Sequence, residues 1–158
     1  MELEAITRYI KDIFDGLDVV EAAGDVYFFA DPDGTSDPAH RLPFATIVTS
    51  DAYDQFSNLD RPSVFRLNMG LSRDTFRSLF PSDSHSIAED QIDRPDFTAL
   101  DQLMPHPVYG NMFWLCVLSP SDSTFAKVRP LLAEAYAVAL TRHQRSRRQS
   151  GQADATSS

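Results

Sequence analysis

The hydrophobic pattern of the chain predicts a helix at each end. Near the N-terminus, apolar residues recur at helical spacing over residues 2–15, and Gly16 is expected to end this helix. Near the C-terminus, an apolar stripe of the same period runs over residues 125–140. Pro130 lies inside this stripe, so it either kinks the helix or begins a second one. Both helices are amphipathic, and each therefore needs a surface against which to bury its apolar side.

Between the helices, the pattern predicts a series of short strands. Residues 17–22 and 25–30 are two β-type runs separated by a turn, which is typical of a hairpin. Residues 44–50 and 64–69 predict a third and a fourth strand, and the apolar run 111–118 predicts a buried strand before the last helix. Short strands in this sequence order favour antiparallel pairing.

The fourth predicted strand separates two kinds of side chain. Because successive strand residues point to opposite faces, Phe65, Leu67 and Met69 share one face. Arg66 and Asn68 then point to the other face, away from the apolar side. Strand parity thus predicts one polar and one apolar side for the sheet.

Three connecting segments are less regular. Ser72 is a good N-cap for a short helix over residues 73–80. Residues 82–95 are polar and acidic, which predicts a mobile loop, and residues 96–104 fit either a strand or a short helix. The turn-rich segment 31–38 contains Asp residues before a Gly, but it lacks the spaced acids of a calcium loop, which favours a plain turn.

These elements together indicate an α+β fold. We expect a single antiparallel sheet with the N- and C-terminal helices packed side by side on one face. The other face is then partly open, as antiparallel sheets allow. The 158 residues are expected to form one domain over residues 1–145, followed by a disordered polar tail over residues 146–158.

Charge and cysteine content narrow the range of functions. The net charge is −9, and most of the chain is acidic, which works against binding to a phosphate backbone. The Arg-rich segment 141–158 keeps nucleic-acid binding open as an alternative. Cys116 is the single cysteine, which excludes an internal disulfide, and its place in an apolar run predicts an inert buried thiol. The acidic first residues, with no apolar segment after them, predict a cytoplasmic location.

Four runs of the sequence carry a resemblance to a known family. They are LPFATIVT at 42–49, DRPSVFRLN at 60–68, LMPHPVYG at 103–110 and PLLAEAY at 130–136. They resemble an uncharacterised bacterial family, mainly actinobacterial, of domains of unknown function (number 6194). This resemblance implies no known activity and no known catalytic residues.

A weaker resemblance, at the level of the fold, is to the MmcQ/YjbR group. That group has an α-β-α layout in which a Trp-bearing strand precedes a final helix with a Tyr, here Trp114 and Tyr136. The resemblance implies a similar layout for this chain. Members of the group are often labelled DNA-binding, which the acidic composition of this chain does not favour.

The loop over residues 105–110 contains the first candidate functional residues. His106 stands between two prolines on a stiff loop, which would hold its imidazole ready for a ligand contact or a proton transfer. The alternative is a loop histidine bonded to the backbone. Tyr109 is a second candidate from this loop, unless it is a core aromatic with its hydroxyl at the surface.

Four further candidates lie outside this loop. Arg66 and Asn68 share the polar face of the fourth strand, where a guanidinium fork suits a carboxylate or a phosphate. The alternative for Arg66 is an ion pair with a neighbouring Asp or Glu. Trp114 is expected to border the same surface, and Arg61 is either a further binding residue or part of a local ion pair in a turn.

Other kinds of site find little support in the sequence. The four histidines lie in separate segments without the short spacing of metal ligands, so we predict no metal site. We find neither a nucleophile elbow around a serine nor a glycine-rich phosphate loop, and we predict no cofactor.

The sequence therefore favours a binding module. We expect the helix-free sheet face and the 105–110 loop to bind a small anionic ligand or a protein partner. The alternatives are an enzyme that uses His106 as a general acid or base, and a nucleic-acid binder that uses the basic C-terminal segment. No membrane association is expected, and association with a second copy of the chain stays open.

Overall fold

Six antiparallel strands form one sheet in the computed structural model of the chain, which describes residues 1–81 and 95–156. The strands are β1 (Leu17–Ala22), β2 (Asp25–Ala30), β3 (Ala45–Val48), β4 (Arg66–Gly70), β5 (Met104–Pro105) and β6 (Trp114–Leu118). Their order across the sheet is β1-β2-β3-β4-β6-β5, and every neighbouring pair is antiparallel. The loop predicted over residues 82–95 lies, apart from Pro95, outside the described residues.

Three α-helices accompany the sheet in the part of the chain that the structure describes. They are α1 (Leu3–Ile13), α2 (Arg73–Leu79) and α3 (Asp122–Thr156), and a 3-10 turn at Gly110–Met112 precedes β6. The Oγ of Ser72 accepts a hydrogen bond from the backbone N–H of Thr75, so Ser72 caps α2 as predicted. Within residues 1–81 and 95–156, no helix is long and apolar enough to cross a membrane.

The last helix is one continuous element. It passes through Pro130 without a break, so of the two alternatives left open for Pro130, the start of a second helix is not observed. The backbone of α3 also continues past residue 146, where the sequence predicts a tail. Side chains are described as far as residue 146 and again at residue 148, and the domain boundary at residue 145 stays a prediction.

One face of the sheet packs against both terminal helices. Leu67 and Met69 of β4 and Leu115 and Val117 of β6 are fully buried in this core. The helices contribute side chains from α1 (Ile6, Ile10) and from α3 (Phe125, Val128, Leu132, Ala135). Burial of these large apolar side chains supplies the main stabilisation of the fold. The α+β prediction, with both terminal helices on one side of a single sheet, is confirmed.

The other face of the sheet has no helix on it in the described part of the chain. A smaller apolar cluster of Val48, Leu59, Met104, Cys116 and Leu118 covers part of this face. The residues that cover this part of the face come from the loop between β3 and β4 and from the segment that leads to β5, rather than from a helix. The rest of this face, next to β2 and the 3-10 turn, is left as a cavity.

The bounds of β3 and β4 differ from the predicted ones by one or two residues, and those of β6 differ by three at its start. β6 begins at Trp114 instead of residue 111, because the chain first makes the 3-10 turn and then takes a left-handed conformation at Phe113, with φ of +68°. Residues 96–104, which fit two interpretations, form turns and end in the two-residue strand β5.

Candidate functional site

A cavity of about 380 Å³ opens on the helix-free face of the sheet. The cavity floor consists of Thr46, Asp54, Arg66 and Asn68. The cavity loop is residues 105–110. The cavity rim consists of Leu42, Tyr53, Val108, Tyr109 and Met112. Trp114, Val48, Tyr27 and Pro43 complete the walls. The volume lies in the range of small-molecule sites, which is roughly 300–1,000 Å³.

Five of the six residues that the sequence singles out line this cavity. They are Arg66, Asn68, His106, Tyr109 and Trp114, and they come from β4, the cavity loop and the start of β6. β4 and β6 are hydrogen-bonded neighbours, and the backbone N–H of His106 donates to the carbonyl of Trp114 at 2.9 Å. Strand pairing therefore brings together residues that are far apart in the sequence.

Arg61, the sixth candidate, does not line the cavity. Its Nε donates to the carbonyl oxygen of Asn58 at 2.8 Å, and its Nη2 donates to the carbonyls of Ser57 and Thr98 at 3.0 and 2.9 Å. The guanidinium thus ties two loops together through backbone oxygens. Arg61 is a structural residue, and the local ion pair that the sequence offered as its alternative role is replaced by these bonds.

The cavity floor is a connected polar network centred on Arg66, of which only 2% is exposed. Nη1 and Nη2 of Arg66 donate to the two carboxylate oxygens of Asp54 at 3.0 and 2.8 Å, and Nη1 also donates to the hydroxyl of Ser57 at 2.9 Å. Nε donates to Oδ1 of Asn68 at 2.9 Å, and Nδ2 of Asn68 donates to Oγ1 of Thr46 at 3.0 Å. A planar guanidinium satisfied in this way holds its neighbours in fixed positions.

The ion pair balances the charge of the floor. The hydrogen bonds and the positive charge of Arg66 hold the pKa of Asp54 below its ordinary value of 3.8, although burial acts in the opposite direction. Asp54 is therefore ionised near neutral pH and cancels the charge of Arg66. The guanidinium fork already binds a carboxylate of the same chain, so Arg66 does not present the free fork expected for an anionic ligand.

His106 is held by its own loop. The residue is 5% exposed, and its Nδ1 accepts hydrogen bonds from the backbone N–H groups of Val108 and Tyr109, both at 3.0 Å. An imidazole nitrogen that accepts two bonds carries no proton, so the proton of the neutral ring is on Nε2. Among the described residues, Nε2 has no hydrogen-bond partner, while the ring lines the cavity.

Burial keeps this imidazole neutral. Burial, which is the larger cause, and the positive charge of Arg66 together lower the pKa of His106 to about 4, although Asp54 acts in the opposite direction. Near neutral pH, His106 is therefore a fixed donor through Nε2–H. A side chain with so low a pKa is a weak base, which works against the predicted role of His106 in general acid–base catalysis.

The cavity rim collects exposed apolar side chains. Its five residues have fractional exposures between 44% and 69%, and they surround one opening. Large apolar side chains scattered singly over a surface need no explanation, whereas a contiguous group around a cavity is typical of a binding site. The rings of His106 and Tyr109 lie with their centroids 5.0 Å apart, so the loop presents a mixed aromatic wall.

Cys116 lies beneath this face, in surroundings that make its thiol unreactive. It is fully buried, and desolvation raises the pKa of its thiol to about 12. The reactive form of cysteine is the thiolate, which is therefore scarce at neutral pH. The sequence-based prediction of a buried, inert thiol agrees with this environment.

Several cavity residues escaped the sequence analysis. Thr46 and Val48 pair with Asn68 and Arg66 in the register of β3 and β4, so strand parity places them on the same face once the pairing is known. Asp54 lies in an irregular segment twelve positions before Arg66, and no spacing rule connects the two. Apart from Tyr109, which the sequence analysis singled out, the rim residues carry no signal in the sequence beyond being apolar in loops.

A second group of polar side chains comes together elsewhere. Ligand atoms of Asp31, Asp33 and His143 lie within 4.8 Å of one another, where the loop after β2 meets α3. Nε2 of His143 and Oδ1 of Asp33 are 3.0 Å apart, and the Asp33 oxygen also accepts from the Thr35 hydroxyl at 2.6 Å. The sequence did not predict this approach of His143 to the Asp-rich turn.

Comparisons with known proteins identify a family but no activity. Neither the search of curated proteins nor the search of solved structures finds a match. The resemblance to the MmcQ/YjbR group therefore stays a prediction. A family model described as a family of unknown function, DUF6194, matches residues 1–149, which is most of the chain. The four sequence runs that pointed to this family lie within the match, and the chain belongs to DUF6194.

Proposed function

We propose that this chain is a binding module that takes up a small molecule in the cavity on its helix-free sheet face. The observation that carries the proposal is His106, a buried side chain that lines the cavity and has no partner for Nε2 among the described residues. Nε2–H keeps contact with solvent through the cavity, so a ligand acceptor can take the place of water on this donor.

The build of the cavity supports a small molecule rather than a large partner. The floor is polar and rigid, the rim is apolar, and the two are separated by a space equal to about a dozen water molecules. A site of this kind, in which a few placed polar groups lie beneath apolar walls, is the usual form of a small-molecule site. Binding of an anion is a weaker fit than the sequence suggested, because Asp54 already neutralises Arg66.

The enzyme alternative receives less support from the same geometry. Nδ1 of His106 is engaged by two backbone amides, and burial keeps the ring neutral. Cys116 is protonated and buried. His106 and Cys116 therefore lack, respectively, the proton affinity that acid–base catalysis requires and the access that nucleophilic catalysis requires.

A fluorescent apolar probe tests the proposal. N-phenylnaphthylamine is uncharged and emits strongly only in apolar surroundings. If the cavity binds small molecules, titration of the native protein with this probe gives a saturable rise in emission. A linear rise without saturation, equal to that of an unrelated protein, would contradict the proposal.

Matched rim variants locate the bound probe. Met112 and Ile13 are almost equally exposed, at 56% and 55%, but only Met112 lines the cavity. We expect Met112→Asp to weaken probe binding at least fivefold, because it places a charge at the rim, and Ile13→Asp to leave it unchanged. Equal effects of the two substitutions would place the probe elsewhere on the surface.

A further inference from the structure

We infer that the cavity selects an uncharged ligand that presents a carbonyl oxygen to the cavity floor and an apolar body to the rim. This inference rests on the proposed function and specifies the chemical class of its ligand. Some hydrogen-bonding groups around the cavity are already bound to other groups of the protein, and the others are left for a ligand.

The acceptors at the floor and the loop are already engaged. Oδ1 of Asn68 accepts from Nε of Arg66, and Oγ1 of Thr46 accepts from Nδ2 of Asn68. Oδ1 of Asp54 accepts from Nη1 of Arg66 and from the backbone N–H of Phe56, and Oδ2 accepts from Nη2 of Arg66. Nδ1 of His106 is bound to two amides, so the imidazole has no lone pair left for a ligand donor, and each floor oxygen is already held by at least one donor of the protein.

Two N–H donors at the cavity are left without an acceptor among the described residues. Nε2–H of His106 has no acceptor in the described part of the chain. Nδ2 of Asn68 carries two protons and gives one of them to Thr46, so its second proton has no acceptor among the described residues. Both side chains line the cavity, and both are at most 5% exposed. A ligand that satisfies them must bring an acceptor.

The orientation of these donors is fixed by the protein itself. Nε of Arg66 is always a donor, so it must face the oxygen of Asn68, which leaves the amide nitrogen for Thr46 and the cavity. The two amide N–H groups fix the tautomer of His106 in the same way. A donor whose direction is set before binding loses little entropy when a ligand arrives.

The charge balance selects among acceptors. Arg66 and Asp54 cancel, and His106 is neutral, so no net positive charge faces the ligand from the floor. A carboxylate or a phosphate would lose its hydration without gaining an opposite charge. A ketone, amide or ester carbonyl accepts the same hydrogen bonds at a much lower desolvation cost. The exposed apolar rim provides a surface for the rest of such a molecule.

The hydroxyls of Tyr27 and Tyr53 differ from these N–H groups because they can also accept hydrogen bonds. They pair with each other at 2.7 Å, and each can act as a donor or an acceptor. Tyr53 is exposed and belongs to the rim, so these hydroxyls meet the outer part of a ligand. They leave the preference of the floor for an acceptor unchanged.

Three small probes of nearly the same shape test the inference. Acetophenone offers a neutral carbonyl, α-methylstyrene replaces the oxygen by a methylene group, and benzoate carries a charged acceptor. Their affinities are measured by displacement of N-phenylnaphthylamine from the native protein. We expect acetophenone to bind about fivefold to tenfold more tightly than α-methylstyrene, which corresponds to one net hydrogen bond, and also more tightly than benzoate.

Two substitutions of His106 separate its two nitrogens. In His106→Asn, the amide oxygen can replace Nδ1 as acceptor for the loop amides, but the donor at Nε2 is lost. In His106→Gln, the longer amide can restore a donor near Nε2. We expect the ratio of the acetophenone and α-methylstyrene affinities to fall toward one in His106→Asn and to recover in part in His106→Gln.

The possible results separate the inference from the proposed function. Failure of N-phenylnaphthylamine to bind would overturn both. Binding of that probe together with equal affinities for acetophenone and α-methylstyrene would overturn the inference alone. Tightest binding of benzoate would also overturn it and would show that the cavity is selective for anions.

Discussion

Arg66 and Asp54 meet fork to fork beneath the helix-free face, with Nη1–Oδ1 and Nη2–Oδ2 distances of 3.0 and 2.8 Å. The Arg66 side chain is 2% exposed and that of Asp54 is 10% exposed. Loss of one partner from a pair buried to this extent lowers the stability of the fold more than loss of one partner from an ion pair in water. The reason is that the remaining partner would be a desolvated, unpaired charge.

Removal of Asp54 is therefore expected to destabilise the protein strongly. We predict that Asp54→Ala lowers the free energy of unfolding by about 3 kcal/mol, measured by urea denaturation. Asp122→Ala serves as a control, because Asp122 is 93% exposed and approaches only the terminal amine, at 4.0 Å. The control is expected to lose less than about 1 kcal/mol. Equal losses in the two variants would contradict a structural role for the buried pair.

The environment of His106 predicts a specific dependence of stability on pH. The pKa of His106 is about 4 in the folded protein and 6.5 in the absence of the fold. The unfolded state therefore binds more protons between these values, and the stability contribution that is complete above pH 6.5 is lost as the pH falls toward 4. We predict a loss on the order of 3 kcal/mol over this window, measured by urea denaturation at several pH values.

A variant isolates this effect from other titrations. His106→Asn keeps an acceptor for the loop amides but cannot be protonated, so its stability is expected to change less between pH 6.5 and 4. Asp54 does not contribute in this window, since its pKa lies below 3.8 and its contribution is lost only at lower pH. The same pH slope in both proteins would show that His106 is not the titrating group.

The close approach of Gly70 to Trp114 yields a third prediction. A Cβ atom on Gly70 would lie 2.9 Å from Cε2 and Nε1 of the indole, which is shorter than real contacts allow. We predict that Gly70→Ala displaces the Trp114 ring, changes its emission and weakens binding of N-phenylnaphthylamine. Trp114 is the single tryptophan, so the emission reports on this wall of the cavity alone.

A double substitution tests the cause of that effect. In Gly70→Ala combined with Trp114→Leu, the smaller side chain removes the clash. The two substitutions are therefore expected to be non-additive in the free energy of unfolding, with a coupling of about 1 kcal/mol or more. Additive effects would show that the glycine matters for a reason other than its contact with the indole.

The burial of Cys116 predicts slow thiol chemistry. Its side chain is fully buried, and its pKa is raised to about 12. We predict that Ellman's reagent reacts with the native protein only as fast as the protein opens, so the rate rises in parallel with the unfolded fraction when urea is added. Fast labelling in the absence of urea, with the protein still folded, would contradict this environment.

Much of the fold could be predicted from the sequence because its signals are local. The 3.6-residue period marks both terminal helices, and the alternation around Leu67 places Arg66 and Asn68 on the helix-free face. Bounds were less predictable where a turn interrupts an apolar run. The left-handed conformation of Phe113 separates the 3-10 turn from β6, and a phenylalanine gives no local sign of it.

The candidate site was predictable only in part, because its arrangement depends on contacts between distant residues. The two prolines around His106 indicated a stiff loop, but they could not show that its own amides bind Nδ1. The partner of Arg66 lies in an irregular loop, where neither a period nor a motif marks Asp54. Arg61 does not line the cavity, and its sequence neighbours do not reveal that its guanidinium binds the carbonyls of two loops.

The two outermost strands of the sheet, β5 and β1, affect whether a second copy of the chain can extend the sheet. β5 has only two residues, of which Pro105 has no backbone N–H to offer a further strand. At the opposite border, β1 carries Asp18 and Glu21, which form ion pairs with Arg41 and Lys11, so charged side chains line this border. Extension of the sheet from one molecule to the next is disfavoured at both borders, so the chain is protected against the ordered aggregation to which open sheets are prone.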